Sequence, residues 1–191
     1  MKKLSLSLLM NLLFAAAVFG QFGQNKVQYN SFDWYYIQTN HFDIYFTEAG
    51  RKAAEFTSKS AEDALAQIED DLDYQINNRV SLIVYNSHND FQETNTADAY
   101  LSQGVGGFTE PFKNRVVFPF EGSYSKFEHV IHHELVHAVI RDKIYGGTVQ
   151  NIISKGITLQ LPHWYHEGMA EYLSSGWETN TDQFIRDAII N

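Results

Sequence analysis

The pattern of apolar and polar residues predicts strands in three stretches of the chain. Residues 41–50 place the apolar side chains of Phe42, Ile44 and Phe46 at alternate positions, which is typical of a strand with one buried face. Residues 79–87 are apolar and rich in β-branched side chains, which favours a strand inside a sheet. Residues 104–120 indicate a hairpin or an exposed strand with its turn at Lys113-Asn114.

Apolar side chains at helical spacing predict helices in other stretches. The first covers residues 50–72, where the spacing is carried by Ala54, Ala61, Leu65, Ile68 and Leu72. The second begins at Ser123 or Ser125, either of which can cap it, and runs to about Arg141. Glu128 follows Ser125 by three positions, which is the spacing of a capping box.

A third helix is predicted between Pro162, which favours a helix start, and Gly176, which favours a helix end. Residues 148–161 read as an irregular connector to it. A further helical pattern begins at Thr181 or Asp182, and the sequence stops within that pattern, so we expect a longer protein. Together the elements predict an α+β fold, with a small mixed sheet and packed helices.

The first twenty residues have the pattern of a secretory signal peptide. Lys2 and Lys3 precede an apolar stretch, and Val18 and Gly20 fit the positions before a cleavage site. The alternative is an anchor helix, but Ser5, Ser7 and Asn11 interrupt a stretch that is already short for a membrane span. No cysteine follows, which excludes a lipoprotein anchor. We expect a signal peptide over residues 1–20, a leading segment over 21–40 and one folded domain over 41–191 that continues or is followed by others.

Composition narrows the classes of partner and of metal site. The formal net charge of −9 argues against a nucleic-acid partner, which would require a basic face. The chain has no cysteine, so it has no disulfide and no metal site that uses thiolate. An exported protein with no membrane span after signal removal is expected in the periplasm, in the outer envelope or outside the cell.

Residues 130–140, VIHHELVHAVI, place polar groups inside an apolar run. His133 and His137 are four apart, so on a helix they share one face and can bind one cation. Glu134 projects away from that face and can hold a water on the metal as a general base. This is the H-E-x-x-H pattern of zinc metallopeptidases. The alternatives are two surface histidines, which the apolar neighbours oppose, or a hydrogen-bonded histidine pair in the core.

The third ligand decides the class of zinc site. A histidine six residues after His137 would be one solution, but Lys143 stands there. A glutamate on a later helix is the other, and Glu167 and Glu171 are one turn apart in PHWYHEGMAEY. One carboxylate can bind zinc, and the other can accept the second ring N–H of a ligand histidine.

HELVH followed by WYHEGMAEY resembles the gluzincins, the thermolysin and aminopeptidase group of the peptidase MA clan. The second helix is most similar to that of small peptidase MA-like domains with the pattern P-x-W-x-x-E-G-x-A-E-Y, matched by Pro162, Trp164, Glu167, Gly168, Ala170, Glu171 and Tyr172. The resemblance implies a zincin-like fold with an active-site helix and a glutamate helix, Glu167 as the zinc ligand and Glu171 beside a ligand histidine. It also implies that an edge strand, GGFTEPFKNRVV, pairs with the substrate, and that a β-propeller can follow.

The sequence therefore predicts a zinc-dependent peptidase. His133, His137 and Glu167 would bind Zn²⁺, and Glu134 would act as the base in hydrolysis of a peptide or protein substrate. Tyr172 and His163 are candidates to stabilise the oxyanion. The alternative is a non-proteolytic metal-binding scaffold or binding module of a larger envelope protein. His132 lies off the ligand face, whereas His129 shares it.

Overall fold

A computed structural model describes residues 30–94, 105–110, 114–145, 162–177, 179, 182, 183 and 186. The predicted signal peptide and the predicted connector over 148–161 lie outside these residues, as does most of the helix predicted from Thr181 or Asp182. None of the described helices has the length and apolar character needed to cross a membrane.

In the part of the chain that the structure describes, five strands form one mixed sheet in the order β1-β2-β3-β5-β4. They are β1 Trp34–Gln38, β2 Phe42–Thr47, β3 Val80–Tyr85, β4 Phe108–Glu110 and β5 Arg115–Pro119. The three central strands are parallel, and each edge strand is antiparallel to its neighbour. Among the described residues, four α-helices accompany the sheet: α1 Arg51–Leu72, α2 His88–Gln92, α3 Tyr124–Tyr145 and α4 His163–Ser175. The predicted α+β class, a small mixed sheet with packed helices, is confirmed.

The core lies between one face of the sheet and the long helices. The alternation predicted for β2 is present, because Phe42, Ile44 and Phe46 are buried. They belong to one apolar cluster with α1 and α3, to which α3 contributes Ile131, Leu135, Val136 and Val139. Burial of such side chains stabilises a fold by roughly 1.5–3 kcal/mol each. The apolar part of VIHHELVHAVI therefore anchors α3 to the sheet, and its polar part is left for another surface.

The start of α3 decides between the two predicted caps. Ser123 precedes the helix, and its hydroxyl accepts a hydrogen bond from the backbone N–H of Lys126 at 3.4 Å. Ser125 is already inside the helix, so the predicted capping box with Glu128 is wrong. The helix also continues four residues beyond Arg141, to Tyr145.

Two features of the sheet were not resolved by pattern alone. Trp34–Gln38, within the predicted leading segment, form the edge strand β1, whose alternation is weak because most of its side chains are exposed. The predicted hairpin corresponds to β4 and β5, and Asn114 before β5 has the left-handed φ of 50° that a tight turn favours. The other turn residue, Lys113, is outside the described residues.

Candidate metal centre

Helix α3 supplies two imidazoles that point to the same side. His133 and His137 are one turn apart, and their ring centroids are 5.0 Å apart. Both are well shielded from solvent, with 19% and 11% of the side chain exposed. Because the apolar residues of α3 face the core, these histidines lie at the seam between α3 and α4.

Helix α4 supplies a carboxylate to the same point. Ala170 is completely buried, and Met169 and Leu173 pack against the core, which docks one face of α4. Glu167 is held at the edge of that face. Its Oε2 lies 3.3 Å from His133 Nε2 and 3.6 Å from His137 Nε2.

These distances fit a shared cation. Ligand atoms bound to zinc at about 2.0–2.1 Å in a tetrahedral arrangement lie roughly 3.3–3.4 Å from one another. The donor atoms of His133, His137 and Glu167 all lie within 4.8 Å of one another. Two imidazoles and one carboxylate are also a donor set that divalent metals accept. The three residues could therefore hold a metal ion.

Burial of His137 favours the uncharged form of its imidazole, which is the form that binds a metal. Desolvation lowers the pKa of the His137 imidazole to about 4, and the nearby Glu167 carboxylate only partly opposes that shift. At neutral pH the ring is therefore uncharged, and one of its nitrogens carries a lone pair for a metal.

Glu134 lies beside this group but in a different environment. It is 9% exposed, and Thr109 Oγ1 lies 2.8 Å from its Oε2 and 2.9 Å from its backbone oxygen. Burial raises the pKa of the Glu134 carboxyl to about 7, the Thr109 hydrogen bond lowers it, and the Glu167 carboxylate raises it further. A carboxyl group with this pKa can both accept and release a proton near neutral pH.

Glu171 lies on the opposite side of His133 from Glu167. Its Oε2 is 3.4 Å from His133 Nδ1, the ring nitrogen that does not face Glu167. The same oxygen is 3.4 Å from His129 Nε2. Consequently His129, His133 and Glu171 form a second group whose atoms could hold a metal ion.

The strand β4 adds two contacts that the sequence did not indicate. Thr109 reaches Glu134 from β4, and Arg141 Nη1 donates to the Thr109 backbone oxygen at 2.6 Å. Arg141 is one turn beyond His137 on α3. These contacts fix β4 against the helix, and spacing along the chain cannot reveal them because 25 or more residues separate the partners.

The other residues considered from the sequence, His163, Tyr172 and His132, differ in their exposure to solvent. His163 is largely exposed, with its Nε2 3.7 Å from Glu167 Oε1, and Tyr172 is exposed. His132 is off the ligand face, as expected, and burial lowers the pKa of its imidazole. Its Nε2 has no hydrogen-bond partner among the described residues.

The same substitution at two glycines is expected to have opposite effects. A Cβ at Gly107 would lie 3.1 Å from Glu134 Cγ and from Phe118 Cδ1, and 3.2 Å from the Val117 backbone oxygen. A Cβ at Gly168, inside α4, would meet nothing within 4 Å. Gly107→Ala should therefore lower the free energy of unfolding by about 1–3 kcal/mol through overpacking. Gly168→Ala should raise it by up to about 1 kcal/mol through helix propensity.

Urea unfolding of the two variants beside the wild type measures both effects, and each variant serves as the control for the other. Equal destabilisation by both would contradict the close approach of the Gly107 backbone to Glu134.

Neither the comparison with protein-family models nor the search of curated proteins yields a match to this chain, so the geometry of the site is the basis for its proposed function.

Proposed function

We propose that the chain is a zinc-dependent peptidase domain of the gluzincin type, with a zincin-like arrangement of α3 and α4. The observation that carries the proposal is the convergence of His133 Nε2, His137 Nε2 and Glu167 Oε2, with the buried carboxylate of Glu134 next in sequence to the first of them. Three protein ligands from histidine and glutamate leave a position open, as in catalytic zinc sites.

The set of two histidines and one carboxylate also occurs in non-haem iron sites. Glu134 favours zinc, because an acid–base group beside the metal serves hydrolysis by water. A bound zinc ion would lower the pKa of a water toward about 7 and polarise a peptide carbonyl. The resemblance of HELVH and WYHEGMAEY to the gluzincins supports the same choice.

Glu134 moves the proton in this mechanism. Its Oε2 accepts a hydrogen bond from Thr109, and we propose that its carboxylate accepts the proton of the attacking water. The protonated carboxyl then delivers that proton to the nitrogen of the departing amine. Its burial strengthens the role, since few competing waters reach a carboxylate that is 9% exposed.

The position of β4 at the end of the strand order supports a peptide as the substrate. Within the described residues no other strand pairs with its outer edge. An extended peptide can add to such an edge by main-chain hydrogen bonds, with little demand on its side chains. Thr109 and Arg141 hold this strand against α3, the helix that carries His133 and His137, which supports binding of a peptide close to the metal centre.

Export is part of the proposal. The signal-peptide pattern of the first twenty residues supports a place in the periplasm, in the outer envelope or outside the cell. The acidic net charge of −9 is compatible with a peptide or protein substrate. A following β-propeller or another envelope partner stays a prediction from the resemblance.

Elemental analysis and peptide hydrolysis test the proposal. The purified chain is expected to contain about one zinc ion. It should cleave members of a quenched fluorescent peptide library, lose this activity with a chelator and regain it with added zinc.

The other outcomes are equally informative. Iron in place of zinc, or the absence of any bound metal, would contradict the proposed centre. Stoichiometric zinc without hydrolysis of any library member would instead support a metal-binding module with no peptidase activity.

A further inference from the structure

A row of four polar side chains leads from the end of α4 to a proposed metal ligand. Ser175 Oγ lies 2.9 Å from His129 Nδ1. His129 Nε2 lies 3.4 Å from Glu171 Oε2, and the same oxygen lies 3.4 Å from His133 Nδ1. We call Ser175, His129, Glu171 and His133 the polar row.

One placement of the hydrogens gives every donor in the polar row an acceptor and leaves the lone pair of His133 Nε2 for a metal. His133 must then carry its hydrogen on Nδ1, directed at Glu171, because a neutral imidazole has one donor and one acceptor nitrogen. His129 carries its hydrogen on Nε2, also directed at Glu171, and its Nδ1 accepts from the Ser175 hydroxyl. Each donor then has an acceptor, and Glu171 alone bears a charge.

The same atoms of His129, His133 and Glu171 could instead surround a second cation, but that use conflicts with the first. A second metal would need the lone pair on His133 Nδ1, and a neutral ring cannot offer lone pairs at both nitrogens. The group with His137 and Glu167 is the better shielded of the two, since His137 is 11% exposed whereas His129 is 40% exposed. It also has Glu134 adjacent to it.

We propose that His129 and Ser175 are positioning residues of the metal centre, which rests on the function proposed above. Glu171 is a half-exposed side chain that must stay at His133 Nδ1 to keep the Nε2 lone pair toward the metal. The N–H of His129 holds the Glu171 carboxylate in that place, and Ser175 keeps the correct nitrogen of His129 protonated. Partners of this kind raise metal affinity without touching the metal.

Two substitutions at one position test the inference. His129→Leu removes the hydrogen bond to Ser175 and the polar contact with Glu171, and keeps an apolar body. His129→Gln keeps a donor for Glu171 and an acceptor for Ser175. We expect His129→Leu to raise the zinc dissociation constant about threefold to tenfold, which is the effect of losing one hydrogen bond of ordinary strength. His129→Gln should recover most of the affinity, and Ser175→Ala should weaken it less than His129→Leu does.

The measurements are the zinc dissociation constant by competition with a chromophoric chelator, the number of zinc ions per chain, and urea unfolding of each metal-free variant. Unchanged zinc affinity in His129→Leu would overturn the inference, as would equal losses in the Leu and Gln variants. A wild-type chain that binds two zinc ions and a Leu variant that binds one would show a second metal site instead. A wild-type chain that binds no zinc overturns this inference and the proposed function together, whereas zinc binding indifferent to residue 129 overturns this inference alone.

Discussion

Glu134→Gln is expected to remove peptide hydrolysis and to leave zinc bound. Gln has almost the shape of Glu and can still contact Thr109, which lies 2.8 Å from Glu134 Oε2, so the local packing should survive. Its amide cannot accept a proton from water. Loss of a positioned acid–base group lowers turnover by about 10²–10⁴-fold. The metal should stay, because the converging donors belong to His133, His137 and Glu167.

The matched control is Glu128→Gln, since Glu128 is an exposed glutamate on the same helix. Both variants are assayed for turnover of a peptide substrate and for zinc by elemental analysis. Turnover at the wild-type rate in Glu134→Gln would refute the assigned role. Loss of zinc in that variant would place Glu134 among the ligands.

Glu167→Ala is expected to weaken zinc binding far more than Glu171→Ala. Glu167 Oε2 lies 3.3 and 3.6 Å from the Nε2 atoms of the two histidines, the spacing of ligands around one ion. Glu171 Oε2 lies near His133 Nδ1, on the far side of the ring, so we expect it to affect this ion through that histidine. Loss of such an outer partner costs roughly 10- to 100-fold in affinity or activity, and loss of a ligand should exceed that range.

The two alanine variants are well matched, because the residues are one helical turn apart and almost equally exposed, at 46% and 47% of the side chain. Zinc dissociation constants by chelator competition compare them directly. Equal affinities of the two variants would contradict the assignment of Glu167, and not Glu171, as the metal ligand. A larger loss in Glu171→Ala would move the metal to the second group, with His129.

Much of the fold could be predicted because its elements have regular patterns. The alternation around Ile44 and the helical spacing in 50–72 reflect the burial of one face, and both predictions are confirmed. The strand β1 escaped prediction because its aromatic side chains are largely exposed and alternate little. The choice between Ser123 and Ser125 required the structure, since both have the chemistry of a cap and the first backbone hydrogen bond decides which one acts.

Part of the candidate site could likewise be predicted from the sequence, and the rest required the structure. The spacing of His133, Glu134 and His137 on one helix predicted a metal pair with an acidic neighbour, because a helix places residues four apart on one face. The distance of Glu167 from the two histidines required the packing of α4 against α3. So did the approach of Glu171 to His133 from the opposite side.

The sequence by itself determined the α+β class, the long helices, the imidazole pair and the absence of any thiolate ligand, because these follow from residue types and from periods within a few turns of chain. Only the tertiary structure decided that Thr109 reaches Glu134, that Arg141 holds β4, and that His129 and Ser175 continue the line beyond Glu171. These contacts join residues 25 to 46 positions apart. Side chains that far apart meet only when burial of the apolar faces brings their helices and strand together.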